Sequence, residues 1–301
     1  MDIKTIQTIF ISLLQGLTEL FPVSSLGHTV IFPGLFGWGH LLNDTGCGGK
    51  SCFLPLVVAL HLGTSAALIL YFWRDWLGFG KTIVQGVIDA DVRRGTEAWV
   101  PVAVIIACIP AGLLGVFFEE KLKEIFASPI LAAGFLVCNG SFLFLGEGLR
   151  RRAENKMAKL SPQERATYFR PLNSLTWWEA LAVGFAQAFA LIPGFSRSGM
   201  TMVGGLVVRL THEDAARFSF LMGTPVILAA GVLEVPKLFH QNMFSLFQIV
   251  LGMIICGVAA YFSTKFLMKY FEKGRLDPFA YYCWGFGLLS LIIFWTGLRP
   301  Y

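Results

Sequence analysis

Apolar residues in this chain are gathered into long runs and do not alternate with polar residues. The clearest runs cover residues 53–73, 99–118, 130–145 and 279–295. Each approaches the ~20 residues that a helix needs to cross ~30 Å of hydrocarbon. Strands of a membrane barrel would alternate apolar and polar side chains over about ten residues. The pattern therefore predicts an all-α polytopic membrane protein.

Some apolar segments are too short or too interrupted to span a membrane. The segments cover about 5–21, 25–41, 53–73, 98–118, 129–149, 178–193, 199–210, 216–235, 244–268 and 279–297. The first two are separated by a turn that contains Pro22, and the sixth and seventh by a turn that contains Pro193. Non-helical backbone at membrane depth survives only where protein or a water-filled cavity surrounds it. We predict that each pair forms a re-entrant helix-loop-helix hairpin.

The two hairpins open two halves that resemble each other. Leu62-Gly63-Thr64 follows the first hairpin, and Met222-Gly223-Thr224 follows the second. Each half contains one hairpin and three spans, so the second half starts on the opposite side of the membrane and the repeats are inverted. The hairpin tips should then meet near the midplane. The prediction is a single integral membrane domain over 1–301, with repeat one at about 1–149, a cytoplasmic loop at about 150–176 and repeat two at about 177–301.

Charge supports this topology. Only 14% of the 301 residues are charged and 55% are hydrophobic, whereas a soluble domain carries about 25% charged residues. The net charge of +5 does not indicate a nucleic-acid partner, because the basic residues lie mostly in loops. Of the 24 Lys and Arg residues, 17 lie on one side of the predicted topology, 6 on the other, and Arg197 within the second hairpin. The basic side should be cytoplasmic, which predicts that both termini face outward.

Polar side chains cluster at the tip of the first hairpin. Gln15 and Glu19 are four residues apart, on one face of a helix. Ser24, Ser25 and His28 follow within ten residues of Glu19. Ionisable groups inside a membrane are costly and usually mark functional sites. The alternative is that these side chains only form hydrogen bonds between helices.

The second hairpin places a cation among hydroxyl groups. Arg197 is flanked by Ser196 and Ser198, and Thr201 follows four residues later, at the start of the segment 199–210. A guanidinium, several hydroxyls and a helix N-terminus together predict a receptor for a phosphate group. The alternative is a structural ion pair between Arg197 and Glu19.

These two motifs carry a resemblance to a known family. The stretch from Gln15 to His28 and the stretch 193–201 are similar to the two signature motifs of the bacterial undecaprenyl-diphosphate phosphatases linked to bacitracin resistance. The similarity includes residues 61–64 and runs over most of the chain. It implies hydrolysis of a diphosphate anhydride, which recycles the lipid carrier of cell-wall synthesis, with Mg²⁺ or Ca²⁺ supporting activity. Leu26 departs from the family pattern, in which a small Ser or Thr is usual.

The resemblance and the residues together suggest roles. With Gln15 where the family admits Glu or Gln, only Glu19 supplies a carboxylate to a metal. A metal on Glu19, together with Arg197, would stabilise the transferring phosphoryl group. Either Ser25 attacks with His28 as base, or His28 attacks or activates water while Ser25 orients the phosphate. The predicted catalytic residues are Ser25, His28, Glu19 and Arg197, and the predicted phosphate-binding residues are Gln15, Ser24, Ser196, Ser198 and Thr201.

Other assignments depend on the same features. A lipid-phosphate transporter or flippase would use the Arg197 cavity without needing Ser25 as a nucleophile. Haloperoxidase-like lipid phosphatases require a His six residues after their Arg, where this chain has Val203. The resemblance implies a multi-pass protein of the bacterial inner membrane, with a polyprenyl diphosphate substrate and a site that opens outward. Whether it forms a homodimer stays open. Cys47 and Cys52 would face an oxidising compartment, where a disulfide can form.

Overall fold

The computed structural model describes residues 3–42, 53–89, 94–126, 128–238 and 244–298. These residues are almost entirely helical, with one isolated bridge between Arg170 and Leu210. The helices are α1 (Ile3–Thr18), α2 (Ser25–Phe36), α3 (Gly39–Leu42), α4 (Phe53–Tyr71), α5 (Trp73–Asp89), α6 (Val100–Phe126), α7 (Pro129–Met157), α8 (Pro162–Ala166), α9 (Trp177–Ala188), α10 (Arg197–Val207), α11 (His212–Leu238), α12 (Leu246–Phe271) and α13 (Asp277–Trp295).

Six stretches of the described residues are long and apolar enough to cross a membrane. They are Phe53–Tyr71, Glu97–Gly115, Pro129–Met157, His212–Leu233, Leu246–Phe271 and Asp277–Trp295. All six correspond to apolar segments predicted from the sequence. The prediction of a helical, multi-pass membrane protein is confirmed at this level.

The distribution of side chains suits a lipid environment. Large apolar side chains such as Phe117 and Leu233 are mostly exposed on the outside of the bundle. Polar side chains, including Gln15, Asn139 and Glu147, are fully buried inside it. In water, such an exposed apolar surface would favour association, whereas in a bilayer it contacts lipid tails.

The short helices pack inside the bundle, where they position two turns. Helices α1 and α2 are joined by the turn at residues 19–24, which we call the first turn. Helices α9 and α10 are joined by residues 189–196, which we call the second turn. Helix α1 packs against α12 and α9 packs against α6, while α2 and α10 both contact α7. Both turns therefore lie next to α7.

Two helices extend beyond the segments predicted from the sequence. Helix α5 occupies Trp73–Asp89, most of which lies between the predicted apolar segments 53–73 and 98–118. Helix α7 continues past residue 149 to Met157, because its charged residues find partners. Arg150 donates to Glu154 at 3.0 Å and to the carbonyl of Leu210 at 2.9 Å. Cys47 and Cys52 lie outside the described residues.

An ionic network around the buried carboxylate of Glu147 connects three spans. Glu147 of α7 accepts hydrogen bonds from the backbone of Leu276 at 3.0 Å and from Arg275 at 2.7 Å. His212, at the start of α11, lies 2.9 Å from the same carboxylate. Because every charged group in this network has a partner, it anchors α7, α11 and α13.

Candidate active site

The first and second turns meet on one side chain of α7. Asn139 donates from Nδ2 to the carbonyl of Pro22 at 3.0 Å, and its Oδ1 accepts the backbone N–H of Ser196 at 2.9 Å. The Oγ atoms of Ser196 and Ser198 lie 3.3 Å and 3.0 Å from the carbonyl of Phe21. The first and second turns are thus bound directly to each other.

Serine caps set the positions at which α2 and α10 begin. Ser24 Oγ accepts the N–H of Gly27 at 3.1 Å, and Ser196 Oγ accepts the N–H of Gly199 at 3.1 Å. Such caps satisfy donors that the first helical turn leaves unpaired. Ser24 has a φ of 67°, a left-handed conformation uncommon for a residue with a side chain. Ser25 and Arg197 therefore become the first residues of their helices.

Side chains from four helices converge on the carboxylate of Glu19, which lies in the first turn. Glu19 is buried, and its Oε2 accepts a hydrogen bond from Ser25 Oγ. Gln15 Nε2 donates to the same oxygen at 2.9 Å, and His61 Nε2 lies 3.4 Å from it. Arg197 Nη2 donates to Glu19 Oε1 at 3.3 Å. An acid, a hydroxyl, an imidazole and a guanidinium thus occupy one site.

Helix α11 holds the guanidinium of Arg197 in place. Arg197 Nη1 donates to the carbonyl of Ser219 at 3.1 Å. A Cβ atom at Gly223 would lie 1.9 Å from Nη1, so the guanidinium fits only because position 223 has no side chain. Arg197 Nε is buried and has no partner among the described residues. The guanidinium is therefore held between Ser219 and Glu19, while Nε keeps an unused donor.

Two of the predicted site residues, His28 and Thr201, form their hydrogen bonds away from the side chains that contact Glu19. His28 Nδ1 lies 2.7 Å from the carbonyl of Ser24, and Nε2 lies 2.8 Å from Tyr282 Oη. Its ring stacks on Phe286 with centroids 4.9 Å apart. Thr201 Oγ1 lies 2.9 Å from the carbonyl of Arg197 and hydrogen-bonds within the helices. Neither side chain hydrogen-bonds to Ser25 or Glu19 in the described part of the chain.

A cavity of about 160 Å³ opens beside this cluster. Its polar lining includes Glu19, Ser24, Ser25, His61, Gln187, Ser196 and Arg197. Its other walls are apolar and include Ala111 of α6 and Val226 of α11. A concave, largely apolar pocket with a few convergent polar groups is typical of a ligand site.

Several residues of the site were not assigned to it from the sequence. The sequence indicates for His61 either a supporting role at the site or a bridge between helices. Its motifs do not include Asn139, Ser219 or Tyr282. Their contacts join segments that are far apart in the chain, so no local motif marks them. Gln187 has a local signal, because it precedes Pro193 much as Gln15 precedes Pro22.

The fold and the site together define a multi-pass helical membrane protein that encloses a buried polar site at the meeting point of two turns. Comparison with known proteins then identifies its family. The family described as Bacitracin resistance protein BacA matches residues 8–289. The chain belongs to this family.

Similar proteins match the chain over nearly its whole length. An undecaprenyl-diphosphatase of Acidiphilium cryptum is 44% identical over 300 residues, which cover 95% of this chain and 96% of that protein. Undecaprenyl-diphosphatase 2 of Burkholderia thailandensis is 44% identical, covering 97% of this chain and 98% of that protein. An undecaprenyl-diphosphatase of Granulibacter bethesdensis is 43% identical, with 96% and 97% covered. The resemblance stated from the motifs is confirmed.

Proposed function

We propose that this protein is an undecaprenyl-diphosphate phosphatase, which hydrolyses its substrate to undecaprenyl phosphate and inorganic phosphate in the cavity beside Glu19. The observation that carries the proposal is the hydrogen bond from the Ser25 hydroxyl to Glu19, with Arg197 on the other oxygen of that carboxylate. A hydroxyl paired with a carboxylate can serve hydrolysis as an activated nucleophile, whereas transport does not need one. The names of the similar proteins support the same activity.

The contacts support a mechanism in two steps. In the first, Glu19 accepts the proton of Ser25 while Ser25 Oγ bonds to the terminal phosphorus and the P–O bond of the anhydride breaks. The undecaprenyl phosphate that is released takes this proton from Glu19, which is then a carboxylate again. In the second, water attacks the phosphorus and the bond to Oγ breaks, which releases inorganic phosphate. The proton of that water passes through Glu19, and Ser25 is protonated again. Acid–base assistance of this kind contributes about 10²–10⁴-fold to a rate.

The remaining groups stabilise charge or hold geometry. Arg197 would donate to the phosphoryl oxygens as charge develops on them. Gln15 and His61 fix the orientation of the Glu19 carboxylate, since both contact Oε2. His28 contacts the carbonyl of Ser24, so we assign it to holding the strained backbone that precedes Ser25.

The phosphate-binding roles predicted for the hydroxyl groups divide by position. Ser24 and Ser196 line the cavity, so both can contact a phosphate while they cap their helices. Ser198 and Thr201 are buried in hydrogen bonds to neighbouring helices and to the first turn. Their phosphate-binding roles stay predictions, and their contacts favour a supporting role.

A divalent cation fits this site when the substrate supplies most of its ligands. Among the described residues, no group of three or more His, Cys, Asp or Glu side chains is arranged to hold a metal. Gln15 Oε1, however, is buried without a partner next to Glu19. Mg²⁺ is commonly held by one or two protein oxygens together with substrate phosphates. We propose that Glu19 and Gln15 would hold such an ion, which would offset the charge of the diphosphate.

Paired helix contacts support the inverted repeat. Gly16 of α1 faces the carbonyl of Cys256 in α12, and Gly184 of α9 faces the carbonyl of Ala107 in α6. In both contacts a Cβ would lie within 2.4 Å of the carbonyl oxygen, so glycine permits the close approach. The first helix of each half thus packs on the second long span of the other half. We infer two re-entrant hairpins in inverted repeats.

Release of phosphate from purified undecaprenyl diphosphate tests the function. We expect the wild-type protein to release phosphate, and Arg197→Ala to lose at least 100-fold of kcat/KM, because it removes the charge opposite the phosphoryl group. Arg170→Ala is the matched control, since Arg170 pairs with Glu179 outside the cavity. Wild-type protein that moves the lipid phosphate across vesicles without releasing phosphate would contradict the proposal and support a transporter.

A further inference from the structure

One polar side chain of the cavity has no partner at all among the described residues. Gln187 of α9 lines the cavity and is 1% exposed. Both its Nε2 and its Oε1 are buried without a hydrogen bond. Gln187 has no role in the proposed two-step mechanism.

Other buried glutamines of the described chain show that this arrangement is unusual for the protein. Gln7 Oε1 lies 3.4 Å from His40 Nε2, Gln15 Nε2 contacts Glu19, and Gln248 Nε2 donates to Thr5 at 2.9 Å. Each of these amides has at least one partner, whereas Gln187 has none. A buried amide that pairs with nothing costs folding free energy. Such a cost is typical of a position used for binding, where a ligand supplies the missing partner.

The walls of the cavity indicate where that partner comes from. The side chains contributed by α6 and α11, including Ala111, Val226 and Ile227, are apolar and have no side-chain polar atom to offer. The charged groups of the cavity, Glu19 and Arg197, are already engaged with each other. None of the described residues satisfies the Gln187 amide, so a group that enters the cavity can supply the missing partner.

We infer that Gln187 binds the diphosphate of the substrate, with Nε2 donating to a phosphate oxygen. This inference rests on the proposed function. A diphosphate has many acceptor oxygens and, at neutral pH, few donors, so it matches an amide N–H better than an amide oxygen. A neutral donor also adds a contact without adding a charge that needs burial. Gln187 would act from the α9 wall of the cavity, which Arg197 and Ser25 also line.

Three variants separate this role from a structural one. Gln187→Leu removes both polar atoms at nearly constant volume, and Gln187→Glu replaces the donor by a carboxylate. Gln248→Leu is the matched control, because Gln248 is a buried glutamine that hydrogen-bonds away from the cavity. The measurements are KM and kcat for undecaprenyl diphosphate, the inhibition constant of inorganic pyrophosphate, and the thermal unfolding temperature in detergent.

We expect Gln187→Leu to raise KM and the pyrophosphate inhibition constant at least 10-fold, with an unfolding temperature equal to or above that of the wild type. Gln187→Glu should be weaker still, because its carboxylate repels the diphosphate. Gln248→Leu should lower the unfolding temperature and leave KM unchanged. If Gln187 had only a structural role, Gln187→Leu would instead lower the unfolding temperature and leave KM unchanged, as is expected of Gln248→Leu.

Two results would overturn the inference while leaving the phosphatase activity intact. One is an active Gln187→Leu variant with unchanged KM and unchanged inhibition by pyrophosphate. The other is a Gln187→Glu variant that binds pyrophosphate more tightly than Gln187→Leu, which would assign the residue to a cation instead. Absence of hydrolysis by the wild-type protein would instead overturn the proposed function, so the two failures are distinguishable.

Discussion

Glu19 is the residue around which the site is organised. Its two oxygens accept hydrogen bonds from different directions, with Ser25 and Gln15 on Oε2 and Arg197 on Oε1. The carboxylate is buried, so its interactions are screened by little water. This arrangement holds the hydroxyl and the guanidinium at fixed positions on either side of one acid, as attack on a phosphoryl group requires.

Substitution of Gly223 tests whether the position of the Arg197 guanidinium matters, and it replaces no residue that is proposed to contact the substrate. In Gly223→Ala the new Cβ would overlap Arg197 Nη1, and the end of this flexible side chain can move away. The fold should therefore persist while kcat/KM falls about 100-fold, because a 1 Å displacement of a catalytic group has effects of that size. Phosphate release and the unfolding temperature are measured together.

Gly112→Ala is the control for this substitution. A Cβ at Gly112 of α6 meets no atom within 4 Å, so activity and stability should stay at the wild-type level. Wild-type activity in Gly223→Ala would show that the position of the Arg197 guanidinium is not important for the reaction.

Single residues of the site are predictable from the sequence where they carry a charge in an apolar segment. Glu19 and Arg197 stand out because few charges occur in apolar segments, and the structure brings them together. The partner histidine could not be assigned in this way. His28 lies three residues after Ser25, yet its ring contacts Tyr282, whereas His61, from a different helix, lies 3.4 Å from Glu19. Proximity in the chain does not determine which way a helical side chain points.

At the scale of elements, two turns depend on one amide. Asn139 donates to the carbonyl of Pro22 and accepts the N–H of Ser196, so it replaces the backbone hydrogen bonds that both turns lack. The two turns are otherwise joined mainly by Ser196 and Ser198, whose hydroxyls donate to the carbonyl of Phe21. Asn139 therefore fixes the distance between the motif that carries Glu19 and the motif that carries Arg197.

Asn139→Leu should uncouple the two turns. The substitution leaves a buried carbonyl and a buried N–H unpaired, which costs about 1–3 kcal/mol for each unsatisfied group. We expect a loss of that order in the free energy of unfolding, measured by titration with SDS from mixed micelles, together with reduced phosphate release.

Ser141→Ala on the same helix controls for a lost side-chain hydrogen bond. It removes the 3.0 Å bond from Trp284 Nε1 and the 3.1 Å bond that Ser141 Oγ donates to the carbonyl of Val137, so it should cost about 1–2 kcal/mol and leave activity unchanged. Equal losses of stability and activity in the two variants would contradict a special role for Asn139.

The elements themselves were predictable where their apolar runs were long. All six candidate spans follow from run length alone. Helix α5 was missed, because its residues 73–89 are apolar on one face only and include Asp75, which pairs with Arg217 of α11. The C-terminal extension of α7 was missed for a related reason. Its Arg150 is buried through contacts with Glu154 and Leu210, and such tertiary partners are not visible in a local pattern.

At the scale of the whole molecule, the distribution of basic residues supports an orientation. We propose that the loop at 158–176 faces the cytoplasm and that both termini face outward. In this topology 17 of the 24 Lys and Arg residues fall on the same side of the membrane as that loop. The cavity would then open to the outer side of the plasma membrane, where the diphosphate head of the substrate enters from the lipid phase.

Labelling of single cysteines by a membrane-impermeant maleimide measures this orientation. We expect Leu298→Cys to be labelled on intact spheroplasts, and Gln163→Cys only in inverted vesicles, since both side chains are exposed. Cys47 and Cys52 are replaced by serine beforehand. The remaining cysteines lie within candidate spans: Cys108, Cys138, Cys256 and Cys283. The reverse labelling pattern would contradict the proposed orientation.

The central claim is that Glu19 acts through Ser25 to break the diphosphate bond. A double-mutant cycle of Glu19→Gln and Ser25→Ala, read as kcat for phosphate release from undecaprenyl diphosphate, tests it most directly. Each single variant should lose about 10²–10⁴-fold, and the double variant should be no slower than the slower single one, because both remove the same step. Losses that multiply in the double variant would show that the two residues act independently and would contradict the mechanism.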